Sequence, residues 1–350
     1  MFLAWRDLKF AKGRFALMGA VIVLITLLVG LLSGLTAGLG RQNVSAITGL
    51  PVDAIAFQAG PEPSYADSAV TESQWRRWAA TPGVVSAEPL GITTTKAEAG
   101  GRSTAVSAFG VRPGSALAPA GDKIDDGGAV LSVPAADALG LAPGQAFTLA
   151  GQRLTVAAVE GDASFSHTPV VWIGLATWQR TTRAEATVVA LETAGADLEE
   201  GDRAAGTRTV SLADSLSAIG SYTSENGSLQ LMRGFLFAIS ALVIGAFFTV
   251  WTIQRSGDIA VLKALGASTA YLLGDALGQA AVLLVGGTLV GTGAAAGLGA
   301  LAGDSVPFVL TPATALAPAA VTILLGLLGA ALSVRRITSV DPSTALGSAR

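Results

Sequence analysis

The sequence predicts an α-helical membrane protein with four transmembrane helices and one extracellular α+β domain inserted between helices 1 and 2. Three observations predict it. Hydrophobic residues make up 51% of the 350 residues and charged residues only 13%, against about 25% charge in a soluble domain, and the mean hydropathy is +0.57. Four apolar runs are each long enough to cross a hydrocarbon core of about 30 Å, which takes roughly 20 helical residues. Between the first and second runs lies a long polar stretch with strand-like segments and turn residues.

Residues 1–14 carry Arg6, Lys9, Lys12 and Arg14 and form a cytoplasmic N-terminal segment. Residues 15–40, from Phe15 to Gly40, contain no charge and form the first transmembrane helix. That run exceeds the apolar region of about 7–15 residues found in a signal peptide, and no Ala-x-Ala cleavage site follows, so the helix is retained. Residues 41–224 form the extracellular domain. Its early part holds a helix at "TESQWRRWAA", Thr71 to Ala80, with Thr71 as N-cap. Trp75 and Trp78 then face one side, as core packing or as a carbohydrate or lipid platform. "QAFTLAGQRLTVAAVEG" and "TPVVWIGLATW" read as strands broken by Gly and polar turns.

Residues 225–253 form the second transmembrane helix, and 254–268 a cytoplasmic link. Residues 269–303, rich in Gly and Ala, form the third helix, 304–311 a short extracellular loop, 312–334 the fourth helix and 335–350 a cytoplasmic tail. Orientation follows from the basic residues at helix ends. They sit before helix 1, after helix 2 (Arg255, Lys263) and after helix 4 (Arg335, Arg336), and none lies in 304–311. Both termini are therefore cytoplasmic, in a multi-pass protein of the cell membrane. Gly30, Gly34 and Gly38 recur every four residues, as do Gly287/Gly291 and Gly293/Gly297. Such spacing allows close helix approach in lipid, either within one subunit or between two copies through helix 1.

The chain lacks a G-x-x-x-x-G-K-[S/T] phosphate loop and a G-x-S-x-G elbow, so it is read as a non-enzyme with no intrinsic cofactor. It has no Cys and one His, too few for a thiolate or multi-histidine metal centre in one subunit. No basic stripe suggests nucleic acid. His167, in "DASFSHTPV", reads as a solvated or locally hydrogen-bonded loop residue, and Asp125-Asp126 as a solvated turn.

Two cytoplasmic stretches are more specific. In "QRSGDIAVLKALGAS", residues 254 to 268, Ile259, Leu262 and Leu265 share one helical face, Asp258 and Lys263 lie elsewhere, and Gly266 stops the helix. Such a helix can lie on the lipid surface or in a groove of a partner protein. The tail holds "VDPSTAL" at 340–346. Together with the N-terminal "AWRDLKFAKGRF", these resemble the permease subunits of the ABC transporter family that includes the macrolide exporter MacB, the lipoprotein-releasing permeases and the cell-division protein FtsX. The first stretch is similar to that family's R-x-x-E-I-x-x-L-K-A-L-G-A-S, with Asp258 where Glu is commoner, and the tail to its D-P-x-x-A-L. The resemblance implies that Asp258, Ile259, Leu262, Lys263, Leu265 and Gly266 belong to a coupling helix. This helix docks into a separate cytoplasmic ABC ATPase subunit, which binds ATP and Mg, and the working unit pairs two permease copies with two ATPases.

Within that family "LGLAPGQAFTLAGQRLTVAAVEG" and "SHTPVVWIGLATWQ" are most similar to the haem-exporting, HrtB-type permeases. That likeness implies haem as the transported substrate, entering sideways and held between the paired first and second helices. A Glu from each subunit near the outer end of helix 2, assisted by Met, would ligate the iron. Glu225 and Met232 in "SYTSENGSLQLMRGFL" fit that position, and Tyr222, Glu225, Leu229 and Met232 share a helical face at i, i+3, i+7 and i+10. Arg233 would pair with a haem propionate, pair with neighbours of Glu225, or snorkel to the interface. Read on its own, Glu225 is equally a first-turn charge behind a Ser224 N-cap, worth about 0.3–1 kcal/mol with the helix dipole. Phe235 and Phe237 stack on a porphyrin, face lipid or pack within the bundle, and Met18 lies too deep on the cytoplasmic side. The alternatives are a lipophilic antibiotic or peptide exporter and a non-transporting, FtsX-like regulator of a cell-wall hydrolase.

Overall fold

A computed structural model of the chain describes residues 12–303 and 306–338, with the side chains at 12, 14, 256, 258–260 and 334–338 excluded. The N-terminal motif up to residue 11, the side chains of Asp258 and Ile259, Asp304, and the closing motif at 340–346 therefore lie outside the described residues. Four long helices dominate: α1 (Lys12–Thr48), α6 (Tyr222–Gln254), α8 (Thr269–Ala302) and α9 (Pro312–Thr338). Among the described residues, four spans are long and apolar enough to cross a membrane: Phe15–Thr48, Tyr222–Gln254, Thr269–Ala302 and Pro312–Ser333. With the intervening α+β domain, this is the fold class that composition and hydropathy predict. The chain divides into two compact bodies, one of helices (up to Gly38 and from Ser228) and one domain, Leu39–Gly227.

Close backbone approach is one feature of the packing of the helical body. On α1, a Cβ at Gly30 would fall 2.9 Å from the Cβ of Ala295 on α8, and the Phe308 ring and the Pro307 carbonyl occupy the Cβ positions of Gly34 and Gly38. In return Ile22 and Thr26 of α1 fill the notches at Gly287 and Gly291. The glycine stripe of helix 1 is thus spent on neighbours in the same chain, while Gly293 and Gly297 have nothing within 4 Å of a Cβ. Phe15, Met18, Ile22, Ile244, Phe248, Trp251, Ala280, Leu284 and Ala330 form the buried cluster of this body. Thr249 and Ser333 hydroxyls, 2.8 Å apart, link α6 to α9. Large apolar side chains such as Leu24, Leu242, Leu289 and Leu328 point outward, where lipid is as apolar as they are.

The domain is built on ten strands: β1 (Ala54–Gln58), β2 (Val84–Ala99), β3 (Arg102–Val111), β4 (Gly128–Leu131), β5 (Ala146–Leu149), β6 (Gln152–Val159), β7 (Ser164–Phe165), β8 (Thr168–Gly174), β9 (Val188–Thr193) and β10 (Thr207–Ser211). Five short helices complete the fold with α1 and α6: α2 (Glu72–Ala79), α3 (Val133–Leu139), α4 (Leu175–Thr182), α5 (Leu198–Ala205) and, on the helical body, α7 (Ser256–Ala264). The strand order is β10-β1-β9-β2-β3-β8-β4-β6-β5. Strand β2 serves two sheets. Its first half pairs with β9, its second half with β3, and Ala97 and Glu98 pair with Leu149 and Thr148 of β5. That last pairing closes β2-β3-β8-β4-β6-β5 into a barrel, whose interior holds Val106, Leu131, Phe147, Leu154 and Val171. Gly91 and Gly110, opposite each other in the β2–β3 register, leave room for the Trp178 ring of α4.

Trp75 and Trp78 of α2 are core residues, packed with Val70, Val189 and Leu191, and Trp78 Nε1 donates to Thr207 Oγ1 at 2.9 Å. Thr71 caps α2, its backbone N–H donating to Gln74 Oε1 at 2.9 Å. The Asp125 carboxylate accepts from the backbone N–H groups of Gly127 and Gly128, which hold it below the usual carboxylate range.

Candidate functional site

Glu225 opens α6. The helix begins at Tyr222, with Glu225 in its first turn and its N–H donating to Ser221 O at 3.0 Å. Ser224 therefore lies inside the first turn and does not cap it, because the chain enters the helix from the turn Asp214–Ala218 three residues earlier than polarity suggests. The Glu225 carboxylate meets the Ser221 side chain at the start of its helix and also two groups from elsewhere in the domain. Oε2 lies 2.7 Å from His167 Nε2 and accepts from Asn43 Nδ2 at 3.0 Å. Asn43 Nδ2 also reaches Ser221 Oγ at 3.4 Å.

Three segments distant in sequence make this cluster, and local chemistry explains each. Strands β7 and β8 pair Phe165 with Thr168, which leaves Ser166 and His167 as a two-residue turn. Both have positive φ, 48° and 62°, as the tightest hairpin turns demand. Non-glycine residues held there cost about 1–3 kcal/mol each, and His is among those that tolerate it best. The surroundings over-determine the turn. Ser166 N–H donates to Asn43 O at 2.9 Å and His167 N–H to Gln42 O at 3.1 Å. Ser45 Oγ accepts from Ser164 N–H at 2.9 Å and donates to Ser164 O at 3.2 Å. Arg41 pairs with Asp162 just before the hairpin. The hairpin is thus stitched to the last turns of α1, and its tip delivers the imidazole to Glu225.

The side chains of Glu225 and His167 are 41% and 34% exposed, so both remain reachable. Asn43 is only 2% exposed, and among the described residues its Oδ1 has no hydrogen-bond partner. Exchanging its amide atoms would set that oxygen against the carboxylate, acceptor on acceptor, so Nδ2 is the atom that faces Glu225.

The other sequence-derived candidates fall as follows. Tyr222 packs against the domain core, on the same body as Glu225. On the helical body, Leu229 and Arg233 are half-buried and Met232 is 52% exposed. Arg233 Nε is buried without a hydrogen-bond partner among the described residues. Phe235 is exposed and Phe237 half-buried, while Met18 is buried in the bundle. His167 and Asn43 were not among the candidates. His167 was legible only as a turn residue, and the one available hint was a Ser-His pair in a turn that favours Asn-Gly.

Helix α7 ends in a Schellman arrangement. Ala267 N–H donates to Leu262 O at 3.0 Å and Gly266 N–H to Lys263 O at 3.1 Å, with Gly266 at φ +91°, a conformation that glycine adopts without penalty. Leu262 and Lys263 are half-buried, and Leu265 is 79% exposed. Behind α7, a crevice of about 30 Å³ is lined by Trp251, Arg255, Leu262, Leu272 and Asp275. There Arg255 lies 5.1 Å over the Trp251 ring and donates to Gln279 Oε1 at 2.8 Å. The Gln279 amide in turn donates to Asp275 Oδ2 at 3.0 Å.

Comparison with known proteins completes the description. The MacB-like periplasmic core domain family matches residues 15–208, and the FtsX-like permease C-terminal family matches residues 231–342. Curated relatives extend over the full length. A Staphylococcus epidermidis protein named as a hemin transport system permease, HrtB, is 25% identical over 350 residues, covering 99% of each chain. Its namesake in Staphylococcus haemolyticus is 26% identical over 355 residues, again 99% of each. An uncharacterized ABC transporter permease of Mycobacterium tuberculosis is 24% identical over 358 residues, with the same coverage.

Proposed function

The chain belongs to the MacB/FtsX-like family of ABC transporter permeases, and from that membership we propose that it is the membrane subunit of an ATP-driven efflux pump whose cargo is haem. Two copies pair, each with a cytoplasmic ATPase subunit that binds ATP and Mg, and both termini face the cytoplasm. The coupling helix α7, with Asp258, Ile259, Leu262, Lys263, Leu265 and Gly266, passes the ATPase movement into α6 and α8. Closure of the gap between the paired α1 and α6 helices then expels the cargo outward. The permease supplies the substrate site and the moving walls, and the partner supplies hydrolysis.

The observation that carries the haem reading is Glu225, a carboxylate held by donors from two other segments at the start of an apolar helix. The full-length likeness to staphylococcal permeases named for hemin transport supports it. Ferric haem accepts oxygen ligands, as in the Tyr-ligated catalases, and thioether ligands, as in the cytochromes c. A carboxylate from each copy, assisted by Met232, would bind iron weakly enough for a substrate that must leave. Tyr222 and Leu229 flank the porphyrin, and the partnerless Nε of Arg233 suits a propionate.

The test is optical. The permease, purified with its ATPase, is titrated with haemin while the Soret band is followed. Saturable binding with a shifted Soret band in the wild type, lost in Glu225→Ala, is the expected result. Absence of saturable binding, or binding unchanged in Glu225→Ala, overturns the haem assignment.

A further inference from the structure

We propose that His167 is the positioning residue of the Glu225 carboxylate, acting with Asn43 to fix the orientation in which it is offered to the haem iron. This rests on the haem reading of Glu225 and adds to it a residue outside the membrane helices.

Geometry makes the argument. Both donors converge on one oxygen, Oε2, at 2.7 Å and 3.0 Å, and Oε1 receives neither. Because Asn43 Nδ2 donates to Oε2, that oxygen acts as an acceptor, and the imidazole must present its Nε2–H rather than its lone pair. A carboxylate otherwise rotates freely about its last torsion, and its two oxygens are equivalent. Two donors on Oε2, with the Ser221 side chain also bonded to the carboxylate, remove that equivalence and hold the group at one rotation, so that it is offered to the iron in one orientation. Groups behind a metal ligand set its orientation and basicity in this way. The Nε2 of His167 is itself committed to the carboxylate, so through that nitrogen it orients the ligand rather than binding the iron.

The placement is built into the backbone. A histidine at φ 62°, following a serine at φ 48°, persists because the turn amides are bonded to Gln42 and Asn43 carbonyls. Asn43 thus does two things at once: its carbonyl anchors the hairpin that carries His167, and its amide joins His167 on the same oxygen. A turn that only had to reverse the chain would be better served by Asn-Gly. The side chain, not the turn, explains a histidine here.

The experiment uses the full-length permease with its ATPase, haemin as the probe, and three variants. His167→Gly removes the imidazole while relieving the positive-φ requirement, so loss of fold does not obscure the result. His167→Gln retains an N–H donor of similar reach, and Asn43→Ala removes the second donor. The expected outcome for His167→Gly is a Kd for haemin raised about 10–100-fold, with a Soret position different from wild type. His167→Gln recovers most of the affinity and the wild-type spectrum, and Asn43→Ala shifts affinity in the same direction as His167→Gly. Wild-type Kd and spectrum in His167→Gly overturn the inference while leaving the haem reading intact. So does a His167→Gln variant as impaired as His167→Gly, which would reduce His167 to a packing group. No saturable haemin binding by the wild type overturns both.

Discussion

Replacing Gly34 with alanine tests what the glycine stripe of helix 1 is for. The Phe308 ring lies against Gly34 of α1 on one side and Gly299 of α8 on the other, occupying the space of a Cβ at either. It cannot retreat along the helix, because Val309 N–H is bonded to Gly34 O at 3.0 Å and the Pro307 carbonyl fills the notch at Gly38. Overpacking of this kind costs about 1–3 kcal/mol. Against it stands the gain of about 0.5–1 kcal/mol when alanine replaces glycine inside a helix. The net expectation is a loss of up to about 2.5 kcal/mol, or about 2–4 °C in apparent Tm per kcal/mol for a body of this size. The same substitution in a Phe308→Ala background meets no ring, so its sign reverses and it stabilises by about 0.5–1 kcal/mol. Tryptophan fluorescence of the full chain in detergent, scanned at one rate because such unfolding is often irreversible, reads all four proteins of the cycle. An equal cost in both backgrounds, or none in either, refutes the clamp. A cost that appears only as dimer dissociation on dilution would instead return the stripe to contacts between copies.

Two further predictions concern buried polar groups. Tyr65 is buried with its hydroxyl hydrogen-bonded to Ser215 Oγ at 3.0 Å, and burial raises its pKa above the ordinary tyrosine value near 10. A raised folded pKa means the fold favours the neutral phenol. Its contribution is complete below about pH 10 and falls by up to about 1.4 kcal/mol per pH unit above it; denaturant midpoints from about pH 8 to 11 should decline more steeply in wild type than in Tyr65→Phe, and parallel curves would refute the assignment. Gln279, fully buried, accepts from Arg255 and donates to Asp275. Gln279→Leu removes both bonds and is expected to destabilise the helical body by about 1–3 kcal/mol, whereas a change in apparent Tm of under about 1 °C would show that the network carries no stability.

The membrane helices were legible because lipid imposes a rule that sequence cannot evade: a span needs about 20 apolar residues. The stop at Gly266 was legible because its Schellman turn is local, closed by bonds from Gly266 and Ala267 back to Lys263 and Leu262. The domain was legible only as α+β. Strand β2 carries Pro89 and Gly91, residues that normally interrupt strands, and yet it runs unbroken from Val84 to Ala99. It does so because its two halves answer to different partners, β9 and then β3, and the barrel closes on two residue pairs with β5. No periodicity encodes that change of partner. The glycine stripe was ambiguous for the same reason, since what meets it is Ala295 of α8 together with Pro307 and Phe308, loop residues with no periodic relation to α1.

Glu225 shows where local reading stops being sufficient. A first-turn carboxylate needs only the helix dipole to account for it, and that interaction, about 0.3–1 kcal/mol, is available to a carboxylate pointing into solvent. Here the carboxylate is met by an asparagine from the end of α1 and a histidine from a hairpin between β7 and β8. Holding that histidine at positive φ costs about as much as the dipole returns, or more. The helix dipole alone does not require such an arrangement, and the proposed role of Glu225 as an oriented ligand accounts for it. The decisive signal is the cost of placing a partner, a quantity that exists only once three distant segments have been brought together.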